Sequence, residues 1–246
     1  MRLSSLTCLS LRPRPVGQSP VRLAAALILL LGACSSVPEV DLTAPPPGEW
    51  QAVALPGKSL THYSVARKDG REAVLARSER SASMLRKRVD VTPAQLGAVT
   101  FSWWVEDLIA DGSVADAERE DAPARVLFGF TGDESRLPMK ARMMFDLAEA
   151  LSGERPPYAT LMYVWDARAP VGTVIVNPRS DRVRKIVVDS GPMNLKRWRD
   201  HRRDLRADFE LAFGEEPGPL RSIAVMTDSD NTGSRALSWF GPVTLY

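Results

Sequence analysis

Cysteine and histidine are almost missing from these 246 residues, with two of each: Cys8, Cys34, His62 and His201. So few cysteines cannot build a disulfide framework, and with two histidines a zinc centre would have to be mostly carboxylate, which is unusual. There is no Gly-x-Ser-x-Gly elbow and no glycine loop of the kind that cradles phosphate. Long apolar runs are missing too. The longest, Leu23 to Leu31, falls short of the roughly 20 residues that a helix needs to cross a bilayer.

Acids are absent from the first 33 residues, which hold Arg2, Arg12, Arg14 and Arg22. A charged start, a short apolar run and then Gly32-Ala33-Cys34 make residues 1–33 a secretory signal. Leu31-Gly32-Ala33-Cys34 resembles a bacterial lipobox, which makes Cys34 the expected lipidation site. Lipidation also accounts for the one cysteine left over in an exported chain; an ordinary signal cut nearby would leave a free thiol. Ser35 after the cysteine resembles the sorting signal of outer-membrane lipoproteins. The expected location is therefore the bacterial cell envelope, lipid-anchored in the outer membrane and facing the periplasm, with the membrane as partner. Val21-Arg22-Leu23 would itself begin a normal signal of this type. Residues 34–49, with Pro38, Pro45, Pro46 and Pro47, read as an extended tether.

Removing the signal takes four arginines from 32 basic side chains and leaves 28 against 30 acids. That balance gives no basic footprint for nucleic acid. Residues 50–246 suit a single domain with a good core.

Short apolar runs bounded by turn residues dominate from Trp50 onward. They fall at 61–67, 72–77, 82–89, 98–105, 125–130, 159–165, 172–176, 183–189, 222–227, 236–240 and 243–246. Lys68-Asp69-Gly70-Arg71 is a hairpin turn, because Asp-Gly accepts positive φ. So many strands with little βα alternation predict a mainly β protein, an antiparallel β-sandwich of jelly-roll or galactose-binding-like type. Two accessory helices are expected. The first spans Leu137–Leu151, with Met139, Met143, Leu147 and Leu151 as a stripe covering a sheet edge or face; an adaptable binding groove is the other use of such methionines. The second runs from an Asn194 cap to Phe213, stopped by Gly214. His201 and Arg202 interrupt its apolar stripe, as a snorkelling rim or as partners of a buried acid.

Several residues invite chemistry. Asp107, Asp111, Asp116, Glu118, Glu120 and Asp121 make an acidic loop before Arg125, long enough to serve as a lid. Glu106 or Asp107 beside Trp104 could work with Asp228 or Asp230 as a glycosidase pair. In Met226-Thr-Asp-Ser-Asp-Asn-Thr-Gly233, Asp228, Asp230, Thr232 and Gly233 match the first half of an EF-hand loop, but its twelfth position is Trp239 where a bidentate glutamate belongs. A looser calcium site at Asp228, Asp230 and Asn231 stays open beside the reading as a polar turn, with Asn231 and Gly233 taking the difficult backbone angles. No other cofactor is expected. Trp103, Trp104, Tyr163, Trp165 and Trp239 lie in strands, and alternation sends Trp103 and Trp104 to opposite faces. Tryptophan faces suit sugar rings; ordinary core packing is the alternative.

Five segments together resemble the bacterial family called domain of unknown function 3047: Ser102-Trp-Trp-Val105, Asp121-Ala-Pro-Ala-Arg-Val126, Tyr163-Val-Trp165, Trp198 with Arg202-Arg203 and Asp208-Phe209, and Ile223 through Gly233. The resemblance spans Leu60 to Tyr246. It departs after Gly241, where the family typically carries an acid and this chain has Pro242. It implies an exported domain without an assigned activity, and a chain ending similar to galactose-binding-like sandwiches, many of which bind sugars. The expectation is a non-catalytic envelope module whose ligand, an envelope polysaccharide, is met by Trp103, Trp104, Arg125, Tyr163, Trp165, Arg202, Asp228, Asp230, Asn231 and Trp239. A glycan hydrolase or a structural partner in an envelope complex are the alternatives.

Overall fold

A computed structural model describes residues 40–41 and 50–246. The expected signal, the expected lipidation site Cys34 and most of the expected tether lie outside these residues. The strands, in chain order, begin with β1 (Val40–Asp41), β2 (Trp50–Ala54), β3 (His62–Lys68), β4 (Arg71–Glu79) and β5 (Ala82–Val91). Next come β6 (Ala98–Val105), β7 (Ala122–Phe130), helix α1 (Met139–Ser152), β8 (Ala159–Asp166), β9 (Val174–Asn177) and β10 (Ser180–Ser190). β11 (Trp198–Asp204), helix α2 (Leu205–Phe213), β12 (Leu220–Asp228), β13 (Arg235–Phe240) and β14 (Thr244–Leu245) complete the chain.

These strands form two sheets. The front sheet has the order β1-β3-β4-β13-β6-β11, with β14 also paired to β6, and the back sheet has the order β2-β5-β12-β7-β8-β10-β9. The core lies between them, with Phe101, Trp103 and Phe240 of the front sheet against Val126, Phe128, Leu161, Tyr163 and Trp165 of the back sheet. The β-sandwich expected from the strand pattern is therefore the fold. Its pairing is antiparallel with one exception, β8 with β10, which run parallel with Val164 opposite Val187.

Local chemistry explains the turns. Asp69 and Gly70 sit at φ 46° and 81°, the two positive angles that a right-twisted two-residue hairpin demands. Between β12 and β13 only Gly233 has positive φ, not Asn231. That turn is also no hairpin, because β12 belongs to the back sheet and β13 to the front sheet, so it bridges the two layers.

The helices depart further from expectation. In α1 the stripe Met139, Met143, Leu147 and Leu151 faces solvent, each more than half exposed. The helix instead turns Ala141 and Phe145 to the core. Four-residue steps drift about 40° each around a helix of 3.6 residues per turn, so that stripe never held one face. Arg155 anchors the helix through Glu134, Asp146 and Glu149. The second helix is half its expected length. Trp198–Asp204 is strand β11, paired antiparallel to β6, and Asp204 rather than Asn194 caps α2, accepting from the Ala207 amide at 3.0 Å. The misfit of His201 and Arg202 on a helical stripe was the mark of a strand.

Candidate functional site

At one end of the sandwich the acidic loop lies against the outer side of the back sheet and covers a charged cluster. Arg125 grips Asp228 with two hydrogen bonds, Nε to Oδ1 at 2.8 Å and Nη2 to Oδ2 at 2.9 Å. The same Nη2 donates to the Glu120 carbonyl at 2.7 Å. Glu120 accepts from Lys185 at 2.6 Å, from Asn177 at 2.8 Å and from Arg179 at 3.1 Å. Lys185 also donates to the Val114 carbonyl at 2.5 Å. Burial pushes the Asp228 carboxyl up to about 6 against the pull of Arg125. Burial and the neighbouring Arg125 charge pull Lys185 down to about 8 despite Glu120.

The bridging turn hangs on the same cluster. Asp121 accepts from the Asn231 amide at 3.2 Å and from the Thr232 amide and hydroxyl at 2.7 and 2.6 Å. Asn231 donates its side-chain amide to the Ala117 carbonyl, and Asp230 pairs with Lys58. Carboxylate oxygens of Asp121, Asp228 and Asp230 approach within 4.8 Å of one another, which resembles a cation cage. Arg125 and Lys58 supply cations to two of the three, and the turn's own donors satisfy the third. Arg202, offered by sequence as another partner for Asp228, lies instead on the front sheet with its guanidinium 5.3 Å from the Tyr246 ring. Of the acids offered as a hydrolase pair, Asp228 is committed to Arg125, Asp230 pairs with Lys58, and Asp107 is exposed, 3.5 Å from Lys196.

Three of the aromatic candidates are core residues. Trp103, Tyr163 and Trp165 have no exposed surface, and each buried polar atom finds a partner. Trp103 Nε1 donates to Asp189 at 2.8 Å, Tyr163 Oη to Asp208 at 2.7 Å and Trp165 Nε1 to the Gly191 carbonyl at 3.1 Å. Asp189 also meets Arg199 at 3.0 Å and His201 at 2.8 Å. Burial raises the Asp189 carboxyl, but the His201 and Trp103 hydrogen bonds outweigh it and hold the group below its ordinary range. The sequence offered His201 as the partner of a buried acid, as it is here; it did not single out Asp189, although an acid closing the apolar run Ile186–Val188 was the signal.

Trp104 and Trp239 behave otherwise, because they point outward from the front sheet. Trp198 stands opposite Trp104 on one side and Trp239 on the other, so three indoles form one row across β11, β6 and β13. Trp104 and Trp239 meet edge to face at 4.9 Å. The β3–β4 hairpin folds over them, with the Lys68 ammonium 3.6 Å from the Trp104 ring and 4.3 Å from the Trp239 ring, and Asp69 accepting from Trp104 Nε1 at 2.8 Å. This leaves Trp104 only 5% exposed, while Trp198 and Trp239 stay half-buried.

Down the same face, the next positions opposite one another are Asp200 with Ser102 and Arg202 with Thr100. Arg71 joins Asp200 by a fork at 2.6 and 3.2 Å and stands 5.1 Å over Trp198. With Glu72, Gly241 and Pro242 these side chains line a depression of about 460 Å³. Gly241 suits this place, since a Cβ would fall 2.2 Å from Ser102 Oγ and force that hydroxyl to rotate.

A family model described as "Protein of unknown function (DUF3047)" matches residues 48–244, covering both sheets. The chain belongs to that family. In this DUF3047 chain the segments that carried the resemblance fall on β6, the start of β7, β8, β11 with α2, and β12 with the bridging turn. No curated protein matches. Among solved structures, the xyloglucanase domain of NopAA from Sinorhizobium fredii, in complex with cellobiose, is 9% identical over 80% of this chain and 93% of its own, with a TM-score of 0.44. A family 11 carbohydrate-binding module of the cellulase Lic26A-Cel5E of Clostridium thermocellum is 8% identical over 84% and 92%, with a TM-score of 0.37.

Proposed function

We propose that this DUF3047 chain is a non-catalytic glycan-binding module of the bacterial cell envelope. The observation that carries the reading is the outward row Trp198, Trp104 and Trp239 beside the depression that holds Arg71, Asp200 and Ser102. Indole faces take the apolar side of a sugar ring. Planar charged groups and hydroxyls in a concave site fix its orientation through paired hydrogen bonds. Trp198 is the stacking surface next to the depression, and Lys68 rests on the other two rings as an additional donor. The lipobox ending at Cys34 and Ser35 supports an anchor in the outer membrane with the domain on the periplasmic side.

A glycan array carrying envelope polysaccharides, followed by calorimetric titration of each binder, tests the reading. Binding that weakens about tenfold or more in Trp198→Ala and Asp200→Ala is expected, the loss of one well-placed stacking or paired contact. A folded domain that binds no glycan, or variants that bind as wild type does, would sink it.

A further inference from the structure

Beside the polar depression a second cavity of about 310 Å³ opens between the sheets. Apart from Glu72 its lining is apolar: Trp50 of β2 and Leu85 of β5 from the back sheet, Val65 and Phe240 from the front sheet, with Val225 and Val243. Leu85, Val225 and Phe240 are buried core residues, so the crevice reaches the interior of the sandwich. Val65 shows the gap from the other side. It pairs with Val74, which packs on the core, yet remains 44% exposed. An inward-facing valine left this open, on a strand that β1 still flanks, means that the described residues of the two layers do not fill the space between them here.

The two cavities share a wall. Glu72, Gly241 and Pro242 line both the polar depression and the apolar crevice. A ligand in the depression therefore needs only a short apolar continuation to pass this wall and enter the core. Gly241 keeps the passage low, because a Cβ there would meet Ser102 Oγ at 2.2 Å in its present rotamer.

Resting on the glycan reading above, we propose that the ligand is an acylated or alkylated saccharide, with its sugar in the depression beside Trp198 and its hydrocarbon chain in the crevice between β3 and β5. The polar cavity supplies forked charges and hydroxyls for the head, and the second one, whose one charged lining residue is Glu72 on the shared wall, selects a chain.

Three probes separate the parts: n-octyl β-D-glucopyranoside below its micelle threshold, methyl β-D-glucopyranoside, and octyl tetraethylene glycol, which has the same tail without a sugar. Calorimetry on the folded domain should show the octyl glucoside binding at least about tenfold tighter than the methyl glucoside, since burial of two methylenes already accounts for that factor, and tighter than octyl tetraethylene glycol, which lacks the sugar contacts. Val65→Trp, which fills the crevice, should collapse the octyl-to-methyl ratio toward one; Val243→Phe serves the same purpose if the first variant does not fold. Equal affinity for the two glucosides would overturn the crevice proposal and leave the glycan site standing. Equal binding of the two octyl compounds, with none of the methyl glucoside, would overturn the glycan reading and the saccharide head with it. Binding of none of the three would overturn the proposal outright.

Discussion

Arg125 reaches Asp228 diagonally across adjacent strands β7 and β12, where Met226 is its own opposite number, and is locked to it by two hydrogen bonds of 2.8 and 2.9 Å beneath the acidic loop. Both side chains are almost wholly buried, at 3% and 6% exposure. A pair in this position is expensive to break and cheap to replace.

Asp228→Ala should accordingly cost about 3–5 kcal/mol, because it removes the two-bond partner of a buried guanidinium and leaves it only the more distant Glu120 carboxylate, and lower the melting temperature by about 6–20 °C for a domain of this size. The double variant Arg125→Met with Asp228→Leu should recover most of the loss. Chelator should leave the wild-type melting curve where it is. A chelator effect that matches the mutant's loss, and vanishes in the mutant, would make the cluster a metal site.

Lys185 predicts a slope at alkaline pH. Its folded-state value near 8 lies below the ordinary 10.5, so between those values the unfolded chain holds more protons than the native one and stability from this group rises with pH. Urea midpoints at pH 7.5, 9 and 10.5 should therefore climb in the wild type relative to Lys185→Met. Parallel profiles would show that burial does not depress the lysine.

Arg71 and Asp200 are exposed, and exposed ion pairs contribute about 0–1 kcal/mol. Arg71→Ala and Asp200→Ala should thus unfold within about 1 kcal/mol of wild type. Any loss of glycan binding in them then reports on the site. Destabilisation well beyond that would mean that the fork holds the hairpin in place.

For the anchor, Cys34→Ser should abolish metabolic labelling with a fatty-acid probe and release the protein from the membrane fraction. Labelling that persists in the variant would end the claim.

How far the sequence could be read depends on whether a signal was local. β6 was legible to the residue, Ala98–Val105, and alternation correctly put Trp103 and Trp104 on opposite faces; which of them faces the core only the fold shows. β11 was not, because Leu195, Trp198, Leu205 and Phe209 keep helical spacing across what are two elements. Its strand alternation, Trp198-x-Asp200-x-Arg202, is written in outward-facing polar and aromatic residues and leaves no apolar trace. The parallel pairing of β8 with β10 is a long-range register that no window of sequence displays. The site divides in the same way. Tryptophans announced themselves by type, but the row of three needs the register of three strands. Asp189 and Asp208 looked like ordinary surface acids until the fold placed Trp103 and Tyr163 against them.

The bridging turn has a consequence for how the chain is made. β12 lies between β5 and β7 in one sheet, and β13 lies between β4 and β6 in the other, so both layers receive a middle strand from the end of the chain. A nascent polypeptide halted before Leu220 would hold two split sheets, with the edges of β4, β5, β6 and β7 unpaired and open to other chains. Folding cannot proceed strand by strand as synthesis does. It must wait for the last strands, and a holding factor that shields those edges until then would be decisive for yield.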